Sequence, residues 1–179
     1  GDYDNDGYID IYVANDTTPN FLYRNVGSGR FVDIGPFAGA AYNEHGVAEG
    51  GMGVDFGDYN NDGSLDIFVT NYAYETNTLY HNTSDGALSD RTDTAHLGDV
   101  SFLKVAFGTK FFDADNDGFL DLFVANGHLY STIDSESDTV EYAQADLFFL
   151  NTGQSSFVDI STQSGDYFSV KRVGRGAAF

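Results

Sequence analysis

Three stretches of the chain set oxygen-bearing side chains at alternate positions around a glycine. Residues 1–15 read Gly-Asp-Tyr-Asp-Asn-Asp-Gly-Tyr-Ile-Asp-Ile-Tyr-Val-Ala-Asn. Residues 57–71 read Gly-Asp-Tyr-Asn-Asn-Asp-Gly-Ser-Leu-Asp-Ile-Phe-Val-Thr-Asn, and residues 112–126 read Phe-Asp-Ala-Asp-Asn-Asp-Gly-Phe-Leu-Asp-Leu-Phe-Val-Ala-Asn. The shared pattern is D-x-[DN]-x-D-G-x-x-D. Its positions 1, 3, 5 and 9 are Asp2, Asp4, Asp6 and Asp10, then Asp58, Asn60, Asp62 and Asp66, then Asp113, Asp115, Asp117 and Asp121. Alternate side chains on a tightly turning loop can converge on one hard cation, and the backbone carbonyl at position 7 (Tyr8, Ser64, Phe119) is a further candidate ligand. Gly7, Gly63 and Gly118 permit the turn that brings position 9 round. An all-oxygen set suits calcium, which accepts six to eight oxygens in flexible geometry. Magnesium demands an octahedron and keeps its water, and zinc or copper would want nitrogen or sulfur. Two carboxylates roughly 4 Å apart repel by about 4 kcal/mol at an effective dielectric near 20. Four of them in one loop would push it open without a cation.

The expected complement is about three calcium ions, one per loop, and eleven of the 23 Asp occupy these twelve positions. Three divalent ions would bring the formal charge from −20 to −14. The EF-hand is excluded, because it needs a bidentate Glu at position 12 and flanking helices. Position 12 here is Val13, Val69 or Val124. Asn60 departs from the all-Asp form and weakens the second site.

The elements that position these loops follow from the repeat, whose offsets are 56 and 55 residues. Register persists downstream: Asn25, Asn82 and Asn151 each precede a turn, and eight residues on come Asp33, Asp90 and Asp159. A period near 55 with several short strands per unit indicates propeller blades. Repeat 2 predicts strands near 51–56, 64–70, 77–82 and 87–91. Its second strand alternates Leu65, Ile67 and Val69 with Asp66, Phe68 and Thr70, the period of two expected of β structure. Both faces carry apolar side chains, which suits a sheet held between neighbouring sheets. No window has helical periodicity. The fold class is all-β: an arc of three four-stranded antiparallel blades over residues 1–179, with repeats 1–56, 57–111 and 112–179. A polar insertion near 127–145 reads as a protruding loop. The Gly-rich strand before each loop (Gly51–Phe56, Ala106–Phe111) is missing ahead of residue 1, and its match is Gly174–Phe179. That leaves two explanations: a C-terminal strand that completes the first blade, or a larger propeller of about seven blades whose remaining blades are partners of this segment. The second is favoured, because propellers typically have about 4–8 blades.

Composition narrows the partners. With 28 acidic against 8 basic residues, the chain is a poor ligand for nucleic acid or an anionic membrane surface. No apolar run is long enough to insert in a membrane as a helix. The absence of cysteine excludes disulfides, thiolate metal sites and thiol catalysis.

The Asp loop, its strands and the Asn-turn-Phe-x-Asp segment resemble FG-GAP/VCBS repeats, the calcium-loop blades also found in integrin α-subunit propellers. Gly51-Met-Gly-Val-Asp-Phe-Gly-Asp58, Asn126-Gly-His-Leu-Tyr130 and Val173-Gly-Arg-Gly-Ala-Ala-Phe179 are similar to the corresponding region of the ASPIC/UnbV family. The resemblance implies a β-propeller, structural calcium at the loop residues named above, and an extracellular, periplasmic or cell-surface location. It gives no activity. The expected function is a calcium-stabilised interaction or adhesion module that binds a protein or a glycan through loops on one rim, with no catalytic residues. The alternatives are a module of a polysaccharide-active enzyme, for which His128, Asp134 and Glu136 are the visible acid/base candidates, and a lectin. His45, His81, His96 and His128 occupy no metal spacing; His81 stands where repeat 1 has Arg24 and reads as a surface position, and His128 reads as structural. No G-x-S-x-G elbow supports a nucleophile. Asn15-Asp-Thr17 and Asn82-Thr-Ser84 are N-glycosylation sequons.

Overall fold

The computed structural model describes residues 1–178, so Phe179, the end of the expected C-terminal strand, lies outside the described residues. Three antiparallel sheets follow one another along the chain. The first joins β1 (Ile11–Val13), β2 (Phe21–Asn25) and β3 (Phe31–Asp33). The second joins β4 (Gly53–Gly57), β5 (Asp66–Thr70), β6 (Thr78–Asn82) and β7 (Leu88–Asp90). The third joins β8 (Ala106–Phe112), β9 (Asp121–Asn126), β10 (Leu147–Asn151) and β11 (Phe157–Asp159). Each sheet is a meander in sequence order, the layout of a propeller blade. The four-stranded expectation holds for blades 2 and 3. Blade 1 has three strands, β1 to β3.

Blade 2 is buried on both faces, as its alternation requires. Ile67 and Val69 pack towards blade 1 with Tyr12, Leu22 and Tyr80, while Phe68 packs towards blade 3 with Phe111, Leu122, Val124 and Phe149. All five residues of β5 are buried. The outer blades bury one face each. Ile11, the counterpart of Ile67, is exposed on blade 1. Phe123, the counterpart of Phe68, meets Phe168 edge-on on the outer side of blade 3.

Glycine lets the innermost strands of neighbouring blades approach closely. A Cβ on Gly53 of β4 would sit 2.0 Å from the Phe107 carbonyl oxygen of β8, and one on Gly108 would sit 2.4 Å from the Ala177 nitrogen. Residues 173–178 therefore lie against β8 much as β8 lies against β4, and Gly108 N–H donates to Arg175 O at 3.0 Å. This C-terminal stretch runs along β8 rather than pairing with β1, which argues against closure onto the first blade.

Four single-turn helices escaped the periodicity reading, being too short to show a period: α1 (Gly35–Ala38), α2 (Gly98–Ser101), α3 (Ile133–Glu136) and α4 (Asp166–Ser169). The 127–145 insertion, expected to protrude, is anchored at several points. His128 and Val140 are each 2% exposed, and Val140 packs with Ala73 and Val105.

In a meander the first-to-second and third-to-fourth strand connections emerge at one edge, the remaining connections at the other. The three Asp loops therefore share one rim with the turns after Asn25, Asn82 and Asn151. The longer connections, including the insertion and α1 to α4, lie on the opposite rim.

Candidate metal centre

Each Asp loop is knitted by the carboxylates themselves. Position 1 accepts two amides in every case: Asp2 from Asp6 (3.1 Å) and Gly7 (3.0 Å), Asp58 from Asp62 (3.0 Å) and Gly63 (2.9 Å), Asp113 from Asp117 (3.1 Å) and Gly118 (3.0 Å). The glycines stand at φ 90°, 88° and 89°, where a side chain would be strained. Position 5 accepts the amide two residues on (Tyr8, Ser64, Phe119). Position 9 is buried at the start of the strand that follows the loop and bridges loop to blade. Asp10 accepts Tyr3 N–H (3.0 Å) and Asn25 N–H (2.8 Å), Asp66 accepts Tyr59 N–H (3.2 Å) and Asn82 N–H (2.8 Å), and Asp121 accepts Ala114 N–H (2.9 Å) and Asn151 N–H (2.8 Å).

The loops diverge in what faces the acids. In loop 1, carboxylate oxygens of Asp2, Asp4 and Asp10 lie within 4.8 Å of one another, and in loop 3 those of Asp113, Asp115 and Asp117 do. In loop 2, Asn60 replaces a carboxylate, and its Nδ2 donates to Asp62 at 3.0 Å. The strand position before the conserved-register Asn differs as well. Arg24 Nε pairs with Asp4 at 2.7 Å, and its Nη2 reaches Asp6 at 3.6 Å. His81 Nδ1 lies 3.0 Å from Asp66, and its Nε2 lies 4.0 Å from Asp62. The third counterpart is Leu150, which cannot neutralise anything. His81 is thus not the surface position its sequence context implied: pairing in β6 swings it over the loop, and its side chain is 19% exposed.

An electropositive centre fits this arrangement. Asp4 Oδ1 is buried and has no hydrogen-bond partner. Burial pushes the Asp4 carboxyl up, against the opposing pull of Arg24, with Asp6 and Asp10 adding to the rise. Burial pushes Asp66 up to about 6 and raises Asp121, to which Asp115 and Asp117 contribute. A cation within the loops would relieve the same penalties.

The other candidates gather less. His128 is buried, with Nε2 2.7 Å from Tyr72 Oη and Nδ1 accepting Tyr130 N–H at 3.1 Å. Asp134 accepts Tyr142 N–H at 2.7 Å, and Glu136 is exposed on α3. None of the hydrogen bonds described for these residues joins the three together. The Asn82 sequon is buried, its Nδ2 donating to Tyr3 O (2.6 Å) and Leu65 O (3.2 Å), and Asn15 Nδ2 donates to Pro19 O (2.7 Å). Neither amide is free for glycosylation in this fold.

Residues 2–69 and 58–124, together more than half of the chain, match the FG-GAP-like repeat family. The chain belongs to the FG-GAP-like repeat family. Within it, the chain is similar to Cartilage acidic protein 1 of Xenopus tropicalis, 31% identical over 68% of this chain and 18% of that protein. It is also similar to the Cartilage acidic protein 1 of Mus musculus and of Homo sapiens, each 41% identical over 35% of this chain and 9% of the relative. These relatives bear out the likeness to the ASPIC/UnbV family. The chain spans less than a fifth of the length of the relatives it matches. Among the described residues no helix is long and apolar enough to cross a membrane.

Proposed function

We propose that this FG-GAP-like segment is a calcium-stabilised interaction module of an exported protein, with calcium in a structural role and no catalysis of its own. The observation that supports the calcium reading most is the buried, unpartnered oxygen of Asp4 within a cluster that also holds Asp2 and Asp10. Asp2, Asp4, Asp6 and Asp10 with the Tyr8 carbonyl would hold one ion. Asp58, Asn60, Asp62 and Asp66 with the Ser64 carbonyl would hold a second. Asp113, Asp115, Asp117 and Asp121 with the Phe119 carbonyl would hold a third. Bound calcium neutralises the crowded carboxylates. The chain's own contribution is to shape each loop through the amide bonds to positions 1, 5 and 9.

The opposite rim is the proposed contact surface, because the long connections converge there. It holds a recess of about 470 Å³ lined by Glu44, Glu75, Asp90 and Asp93 together with Tyr74 and Phe102, whose rings meet edge-on at 6.0 Å. Its charge favours a basic protein segment or a neutral glycan over an anionic polysaccharide. Calcium is titrated into chelator-stripped protein while thermal melting is followed; the midpoint rises, and an unchanged midpoint defeats the structural role. A glycan array run beside basic peptides and a reducing-end assay tests the rest. Saturable binding without sugar release is the expected result, and release would assign an enzyme module.

A further inference from the structure

We propose that the fourth-position asparagines Asn5 and Asn61 are positioning residues that couple each calcium loop to the next, so that the sites along the rim fill cooperatively. This rests on the calcium reading above. Asn5 Nδ2 donates to the Gly63 carbonyl of loop 2 at 3.1 Å, and Asn61 Nδ2 donates to the Gly118 carbonyl of loop 3 at 2.9 Å. The two bonds are the same contact, repeated one blade onward. Each donor sits between the ligand positions 3 and 5 of its own loop. Each also has left-handed backbone, φ 57° and 59°, a conformation that Asn tolerates better than most residues. Where the Asn side chain points therefore follows how its loop is closed.

The acceptor is placed to register that closure. Gly63 and Gly118 donate their N–H groups to position 1 of their own loops, Asp58 and Asp113, and offer their carbonyls to the preceding loop. One glycine is thus gripped by a ligand of its own site and by the neighbouring site, and its carbonyl immediately precedes the position-7 residue. A second, buried tie runs in parallel. Asn82 Nδ2 donates to Tyr3 O at 2.6 Å, and Asn151 Nδ2 donates to Tyr59 O at 2.7 Å, while the backbone amides of the same two asparagines bond position 9 of their own loops. The buried tie fixes blade to blade. Asn5 and Asn61 are exposed, so their bonds can open while a loop is empty and close when it is ordered. An ion that orders one loop then lowers the ordering cost of its neighbour, and linkage makes the effect reciprocal.

The test reads each loop separately. The amides of Gly7, Gly63 and Gly118, one per loop, give three calcium titrations in a nitrogen-15 correlation spectrum of the full chain. Loop 3 is silenced by Asp113→Asn with Asp115→Asn. In the parent background this weakens calcium at Gly63 by about fivefold. In Asn61→Gly, which keeps the left-handed backbone, the same silencing changes it by less than about twofold. No calcium-dependent shift at any of the three glycines in the parent overturns the calcium reading itself. Binding at loop 2 that ignores the silencing of loop 3 overturns the coupling. Coupling that survives Asn61→Gly overturns its assignment to that side chain.

Discussion

Loops 1 and 3 share a motif, a rim and a hydrogen-bond pattern, yet among the described residues loop 1 carries its own counter-charge and loop 3 does not. Arg24 lies against Asp4 and Asp6, whereas the equivalent position over loop 3 is Leu150. Loop 2 falls between them, with His81 against Asp66 and an amide, Asn60, in place of one acid. On the calcium reading proposed above, the same acidic consensus depends on an external ion to different degrees. We propose that a residue on another strand sets that dependence: Arg24, His81 and Leu150 stand 14, 15 and 29 positions downstream of the last aspartates Asp10, Asp66 and Asp121. Loop 3 is expected to be the strongest calcium site and the one most disordered by chelation.

Substitution at position 9 should break the comparison down to what the loops have in common. Asp10 and Asp121 each hold two backbone amides, so Asp10→Ala and Asp121→Ala should each cost about 3 kcal/mol by leaving buried donors unpaired. Urea denaturation in chelator checks this, with similar losses expected for the two. A large inequality would mean that the loops differ in architecture as well as in counter-charge.

Exchanging the counter-charge should sharpen the contrast. Leu150→Arg is expected to weaken calcium at loop 3 by about fivefold while stabilising the metal-free protein slightly, because a partly exposed ion pair is worth up to about 1 kcal/mol. Arg24→Leu should do the reverse at loop 1. Calorimetric titration paired with melting in chelator reads both effects. If the two swaps move calcium affinity in the same direction, competition by Arg24 is not the difference between the loops.

The far rim supplies a control of smaller size. Glu49 is buried among neutral donors, accepting from Asn43, Asn71 and Thr78, and burial raises its carboxyl above the ordinary 4.5. A carboxyl with a raised folded-state pKa holds its proton more tightly in the fold. Its contribution is therefore full below the unfolded value and is lost as pH rises through the raised one. Glu49→Gln should flatten the fall in stability as pH rises above 4.5, in calcium and in chelator alike. A flattening seen only in chelator would tie Glu49 to the loops on the other rim.

Much of this was legible in the sequence, because alternation and repetition are local signals. The faces of β5, the blade order and the turn of each Asp loop follow from Ile67, Phe68, Val69 and the spacing around Gly63. Contacts between repeats were not legible. His81 looked like a surface residue, since nothing near it in sequence shows that strand pairing lays it over Asp66. The partners of Asn5 and Asn61 lie 58 and 57 residues away. Their one local signal is an Asn at a place where the backbone must be left-handed. The single-turn helices have no period to detect, and the anchoring of the insertion through Val140 and His128 depends on Ala73, Val105 and Tyr72 from the preceding blade and the strand beside it.

Counting bound ions tests most directly whether the three loops exist to hold them. Native mass spectrometry of the folded chain in calcium, with chelator-treated protein as reference, should show three bound ions. Loss of one is expected on Asp113→Asn with Asp115→Asn. A folded chain that retains no calcium at millimolar concentration would contradict the account.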